Sequence, residues 1–161
     1  MLMALGAEVV ATSTQGDRVI AIDDLFVDVF TTSLRAGEII TSVRFPALPP
    51  GTRATYLKFL PQTADDYATV AVAATLRLAD DGTVADLRVA LGAAGPTPRR
   101  ARSVEDALRG MRPDAKHIAD AAARVDADIE PFDDVRGSAA YKREMARVWT
   151  QRALASLVEA P

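Results

Sequence analysis

Hydrophobic positions between Val70 and Leu91 recur at every second residue. Val70, Val72, Ala74, Leu76 and Leu78 fall on one side of the pattern, and Thr69, Ala71, Ala73 and Thr75 fall on the other. A period of two predicts a strand, here with a back made of small residues. Asp80-Asp-Gly82 is a hairpin signal because glycine tolerates positive φ, and Leu87, Val89 and Leu91 carry the alternation onto the return strand. The alanine content leaves helix as a minority reading of the first arm.

Upstream, Leu2 to Leu5 reads as the last turn of a helix stopped by Gly6, followed at once by a strand over Glu8 to Thr14. Val19 to Ile22 reads as a short strand, Asp23 to Ser33 as a loop or short helical turn, and Glu38 to Phe45 as a strand ended by Pro46. Pro46-Ala-Leu-Pro-Pro-Gly51 breaks regular structure and is expected to be a domain boundary. Ala54 to Leu60 is then a further strand.

The rest patterns as helix. Ser103, with Asp106 three residues on, is expected to cap a short helix ended by Gly110. Asp114 is expected to cap a second helix whose Ile118, Ala122, Val125 and Ile129 form one apolar stripe. A third helix runs from about Ser138 to Glu159, with Met145, Val148 and Trp149 in one sector and Leu154, Leu157 and Val158 roughly opposite. Such a helix should touch two neighbours. The fold class is therefore α/β in content, of the α+β kind, with an antiparallel sheet followed by a three-helix bundle.

Composition narrows the function. The 161 residues are 49% hydrophobic and 25% charged, with a net charge of −3, and this is the profile of a globular chain. The basic residues are scattered apart from Arg99, Arg100 and Arg102, so no footprint for nucleic acid emerges. That cluster follows Gly95-Pro-Thr-Pro98 and reads as solvated. No apolar run approaches the ~20 residues of a membrane span, and the N-terminus lacks a signal peptide's charged front, so the expected location is the cytoplasm. Without cysteine there is no thiolate zinc site, cysteine nucleophile or cysteine-bound iron–sulfur cluster.

Dinucleotide-binding, P-loop, nucleophile-elbow and zincin motifs are missing. His117 reads as solvated and Trp149 as core. The pairs Asp23/Asp24, Asp80/Asp81 and Asp133/Asp134 read as turn chemistry, in which aspartate bonds its own backbone. What remains is Lys58-Phe-Leu-Pro-Gln-Thr-Ala-Asp-Asp-Tyr67, where two acids and a ring stand at the mouth of the alternating strand. Lys58, Asp65, Asp66 and Tyr67 could converge on one ligand. From the residues alone, a capped strand entrance with a half-buried tyrosine is the favoured reading.

Several runs resemble the FAD-binding medium subunit of molybdenum hydroxylases, the carbon monoxide dehydrogenase and xanthine dehydrogenase family. Asp24-Leu-Phe, Thr32-x-Leu34 and Gly37-Glu-Ile-Ile-Thr-Ser-Val-Arg-Phe-Pro46 are similar to the end of its FAD-binding domain. Tyr56-Leu-Lys58, Asp66-Tyr-Ala68, Asp134-Val-Arg-Gly-Ser-Ala-Ala-Tyr-Lys142 and Arg152-Ala-Leu154 are similar to its C-terminal domain. The resemblance divides the chain into residues 1–48, the tail of an FAD-binding domain, and 52–161, a C-terminal domain of small antiparallel sheet plus helices.

It also implies roles. Tyr67 matches the aromatic that shields one face of the isoalloxazine, Lys58 a lysine near the flavin, and Ile40 an aliphatic contact to the ring system. Asp65 and Asp66 match a loop that tunes acceptor access. Where the family often carries basic residues after the matched lysine, this chain has Phe59-Leu-Pro-Gln-Thr63. The implied partners are a molybdopterin large subunit, a 2Fe-2S small subunit and the upstream FAD-binding half. The family's glycine-rich pyrophosphate-holding segments would lie before residue 1, so a truncated or split gene product, inert by itself, is expected, with an apolar surface exposed where that half would pack.

Two other classes compete. The chain could be a non-catalytic assembly module with vestigial flavin contacts, or an unrelated ligand-binding domain with an enclosed pocket away from Tyr67.

Overall fold

The computed structural model describes residues 1–61 and 67–159. Asp65 and Asp66 lie outside the described residues.

The N-terminal turn is closed by two nested bonds: the Ala7 amide donates to the Leu2 carbonyl at 3.0 Å and the Gly6 amide to the Met3 carbonyl at 3.1 Å. Gly6 has φ +65°, so this is a helix-stop motif that a side chain would strain. β1 (Glu8–Ser13) follows directly, paired antiparallel with β2 (Gly16–Ala21) and with β5 (Ile39–Arg44), giving the order β2-β1-β5. Between them, α1 (Ile22–Leu25) is a single turn, and β3 (Phe26–Asp28) and β4 (Thr31–Thr32) form a small hairpin where the sequence reads as loop. The segment 45–52 carries no strand or helix.

The second sheet runs β6 (Arg53–Phe59), β7 (Val70–Leu78), β8 (Val84–Gly92) and β9 (Arg99–Arg100), all antiparallel. β7 is a strand, not a helix. Leu76 faces Leu87, Ala74 faces Val89 and Val72 faces Leu91, so the alternation of both arms falls on one side. That side packs on the helices: Val70, Val72 and Val89 are fully buried with Val104, Leu108, Ile118, Val125 and Leu154. Each such side chain contributes about 1.5–3 kcal/mol relative to exposure. The opposite side is built from Ala71, Ala73, Thr75 and Ala90, and its lack of bulk lets the N-terminal turn approach. Ala73 and Ala90 share a core with Met3, Ala4, Val9, Ile20 and Leu25, and the Thr75 hydroxyl donates to the Ala4 carbonyl at 3.2 Å. The four-stranded sheet is thus covered on both faces.

The helices are α2 (Arg102–Leu108), α3 (Ala115–Ala122), a 3-10 helix (Ala123–Ala127) and α4 (Ala139–Glu159). Asp114 caps α3 by accepting the His117 amide at 2.8 Å, and Ile118, Ala122, Val125 and Ile129 are all buried, but not on one α-helix: α3 ends at Ala122, Val125 lies in the 3-10 helix and Ile129 beyond it. Three further expectations are corrected here. Ser103 lies inside α2 and caps nothing; its amide instead donates to the Asp128 carboxylate at 3.0 Å, a cap supplied from a remote turn. α4 does not bury two opposed sectors but one line, Lys142, Ala146, Thr150, Ala153, Leu154 and Leu157, flanked by part-buried Met145, Trp149 and Val158. The small residues at 146, 150 and 153 admit β7, while α3 and the 3-10 helix pack alongside. Finally, Arg100 is not solvated and Asp23 is not only a turn residue. Arg100 grips Glu105 through two nitrogens at 2.8 and 2.6 Å and reaches Asp23 at 3.5 Å, while Glu105 also accepts the Val89 amide at 2.8 Å.

Among the described residues, no helix is long and apolar enough to cross a membrane.

Candidate functional site

The site is the mouth of the β6–β7 pair. The Thr69 amide donates to the Phe59 carbonyl at 3.1 Å, which closes the ladder just below the mouth. Lys58 pairs with Ala71 and so projects from the small-residue face at an exposed position, whereas Phe59 pairs with Val70 and faces the helices. Phe59 stacks on Trp149 with centroids 5.1 Å apart and meets Tyr141 at 6.5 Å. Such ring contacts contribute about 0.5–1.5 kcal/mol beyond area burial. They fix the end of β6 against α4.

Tyr67 itself is 78% exposed, so it is not the half-buried tyrosine of the favoured residue-only reading. One of its faces is taken. The Arg136 guanidinium carbon lies 5.0 Å from its ring centroid, a cation–π arrangement. Arg136 comes from a tight turn in which the Gly137 and Asp134 amides donate to each other's carbonyls, both at 3.1 Å, and the Asp134 carboxylate accepts the Arg136 amide at 2.8 Å. The other Asp134 oxygen meets the Lys142 ammonium at 2.7 Å, and Lys142, buried on α4, also donates to the Phe132 carbonyl at 2.9 Å. Those bonds hold the Asp134 carboxyl below the usual carboxylate range, the Lys142 bond first and the Arg136 amide second. Asp133 accepts the Ala139 amide at 2.6 Å and ties the turn to the start of α4.

Two separate stretches of sequence, the strand mouth and the Asp134–Lys142 run, therefore meet at Tyr67. Nothing in the sequence of that run marks Arg136 or Lys142 for these contacts. Reading Asp133/Asp134 as turn chemistry caught half of the arrangement, and only folding brings Lys142 under the turn.

Ile40 belongs to the other sheet, on edge strand β5 opposite Ala11, and is partly exposed. No hydrogen bond or ion pair joins Ile40, Lys58 and Tyr67 among the described residues. In the N-terminal region Val27, Val29, Phe30, Ile39, Val43 and Phe45 are also exposed apolar side chains. A cleft of about 360 Å³ lies elsewhere, between Asp23, Phe26 and the arginines 99, 100 and 102. It is open, and each of those arginines has a carboxylate partner. No group of three or more histidine, aspartate or glutamate side chains suited to a metal occurs among the described residues.

The four-stranded antiparallel sheet thus has helices on one face, a small second sheet on the other and the exposed Tyr67 ring at its rim. The chain belongs to the CO dehydrogenase flavoprotein C-terminal domain family, whose model matches residues 55–157. A second model, the FAD binding domain in molybdopterin dehydrogenase, matches residues 1–48. The glyceraldehyde dehydrogenase medium chain of Sulfolobus acidocaldarius is 33% identical over 95% of this chain and 53% of its own length. The carbon monoxide dehydrogenase medium chain of Afipia carboxidovorans is 31% identical over 96% of this chain and 53% of its own. Among solved structures, carbon monoxide dehydrogenase from Hydrogenophaga pseudoflava superposes with a TM-score of 0.91 at 34% identity, covering 96% of this chain and 53% of that one. Quinoline 2-oxidoreductase from Pseudomonas putida 86 gives 0.86 at 30% identity, covering 98% and 54%. The chain spans about half the length of these relatives.

Proposed function

We propose that this chain is part of the FAD-containing, electron-transferring medium subunit of a molybdenum hydroxylase in the cytoplasm. Residues 1–48 then complete an FAD-binding domain and residues 52–161 form the C-terminal domain that meets the flavin. Its partners are a molybdopterin large subunit, a 2Fe-2S small subunit and an upstream FAD-binding half. When bound, FAD supplies redox exchange between the iron–sulfur clusters and an acceptor.

The observation that carries this reading is Tyr67, held from one side by Arg136 and otherwise exposed at the rim. A ring with one face braced and the rest open suits a planar aromatic group, which is the part of FAD these residues fit. Lys58 lies at the same mouth, where an ammonium favours negative charge on a neighbouring ring. Ile40 would contribute apolar contact from the first sheet, and Asp65 and Asp66 would tune acceptor access. The exposed apolar side chains from Val27 to Phe45 support a further polypeptide packing there.

The test is Tyr67→Ala in the flavin-loaded assembly. Lower flavin content or slower flavin reduction supports the reading. Both unchanged would favour the assembly module with vestigial flavin contacts.

A further inference from the structure

We infer that Arg136 is a positioning residue for Tyr67, setting which face of the ring is offered to the isoalloxazine and biasing that stack toward the reduced cofactor. The inference rests on the flavin reading above and deepens it.

Three observations carry it. Arg136 lies over the Tyr67 ring at 5.0 Å, so one face is covered by a guanidinium and a partner ring must use what remains. The residue is presented by a rigid turn rather than a mobile loop: both ends of Asp134–Gly137 are bonded to each other, Asp134 caps the Arg136 amide, and buried Lys142 anchors Asp134 from below. The turn is also seated in only one way. Gly137 has φ +141°, and a Cβ there would lie 2.7 Å from Tyr141 Cδ1, so the backbone rests directly on the Tyr141 ring. Tyr141 in turn meets Phe59, the residue that ends β6. The same aromatic contacts that fix the strand mouth thus fix the position of Arg136 relative to it.

The consequence follows from ring electrostatics. A cation on one face of a phenol draws π density toward itself and leaves the opposite face less negative. An electron-rich or anionic ring stacks better on such a face than an electron-poor one. Reduced isoalloxazine is the electron-rich form, so the Arg136–Tyr67 pair raises the flavin's midpoint potential. Neither residue exchanges electrons or protons in this scheme.

The experiment uses the assembled flavoprotein and reads the flavin midpoint potential by spectroelectrochemistry, together with flavin content. Arg136→Gln, which keeps a polar stem of similar reach, is expected to shift the reduced-to-oxidised ratio about tenfold toward oxidised, which is about 30 mV lower for a two-electron couple. Arg136→Lys should recover at least half of that shift, since the charge returns without the planar fork. In the background of Tyr67→Ala, Arg136→Gln should add nothing, because the arginine acts through the ring. If Tyr67→Ala moves the potential but Arg136→Gln does not, or if the two shifts simply add, the inference is overturned and the flavin reading stands. If neither substitution changes flavin content or potential, the flavin reading falls with it.

Discussion

The ammonium of Lys142 is buried beneath the Asp134 carboxylate, 2.7 Å away, with the Phe132 carbonyl as its second acceptor. Asp134 is the more exposed partner, so the two ends of this pair are unequal. Removing the carboxylate strands a buried charge, whereas removing the ammonium leaves a carboxylate that water can reach.

Asp134→Ala is therefore expected to destabilise the fold by about 3 kcal/mol, the low end for a broken buried pair, and Lys142→Met by clearly less. Denaturant melts of the two variants check this ordering. A larger loss for Lys142→Met would mean that the pair is not what holds the turn.

Gly137→Ala tests the seating of the same turn. A Cβ 2.7 Å from Tyr141, added at φ +141°, should cost about 1–3 kcal/mol, since the ring must shift and that backbone conformation strains any side chain. Gly110→Ala is a useful contrast, because φ is +71° there but nothing lies within 4 Å of the added atom. Thermal melts should rank Gly137→Ala as the worse of the two.

Glu38 is expected to give the first sheet a pH-dependent contribution to stability. Two Arg18 nitrogens bond it at 2.6 and 2.8 Å and the Arg35 amide donates to it at 2.6 Å; the Arg18 bonds chiefly, then Arg35, lower its pKa to about 2. A depressed folded pKa means stability that is present above the ordinary carboxylate value and lost as pH falls through the folded one. The acid limb of unfolding between about pH 4 and 2 should thus flatten in Glu38→Gln, which measurement of stability against pH in that window would reveal. An unchanged acid limb would place the titrating group elsewhere.

The contact between N-terminal turn and sheet is open to a similar test. Thr75→Val removes the hydroxyl that donates to the Ala4 carbonyl and leaves a buried acceptor unsatisfied, at a cost of about 1–3 kcal/mol. Amide exchange at Leu5 to Ala7 should quicken in that variant while Val89 in the sheet centre stays protected.

Much of the fold could be read along the chain because its signals are local. The alternation from Val70 to Leu91, the Asp80-Asp81-Gly82 turn and the Asp114 cap each need only neighbouring residues, and each is where the pattern puts it. The misreadings share the opposite property. Ser103 has the right residue type for a cap, but the acceptor is Asp128, 25 positions away. Arg100 looks like part of a solvated basic cluster until Glu105 and Asp23 converge on it from two elements. The candidate site divides in the same way. Tyr67 is legible from its position at a strand mouth, whereas the placement of Arg136 depends on a turn some seventy residues later folding over that ring.

The visible absorption spectrum of the purified chain, alone and after co-expression with the proposed upstream FAD-binding half, tests the central claim most directly. Flavin bands in the co-expressed sample, weakened by Tyr67→Ala, are the predicted result. A colourless protein in both preparations would contradict a flavin-contacting role and leave the assembly module as the better account.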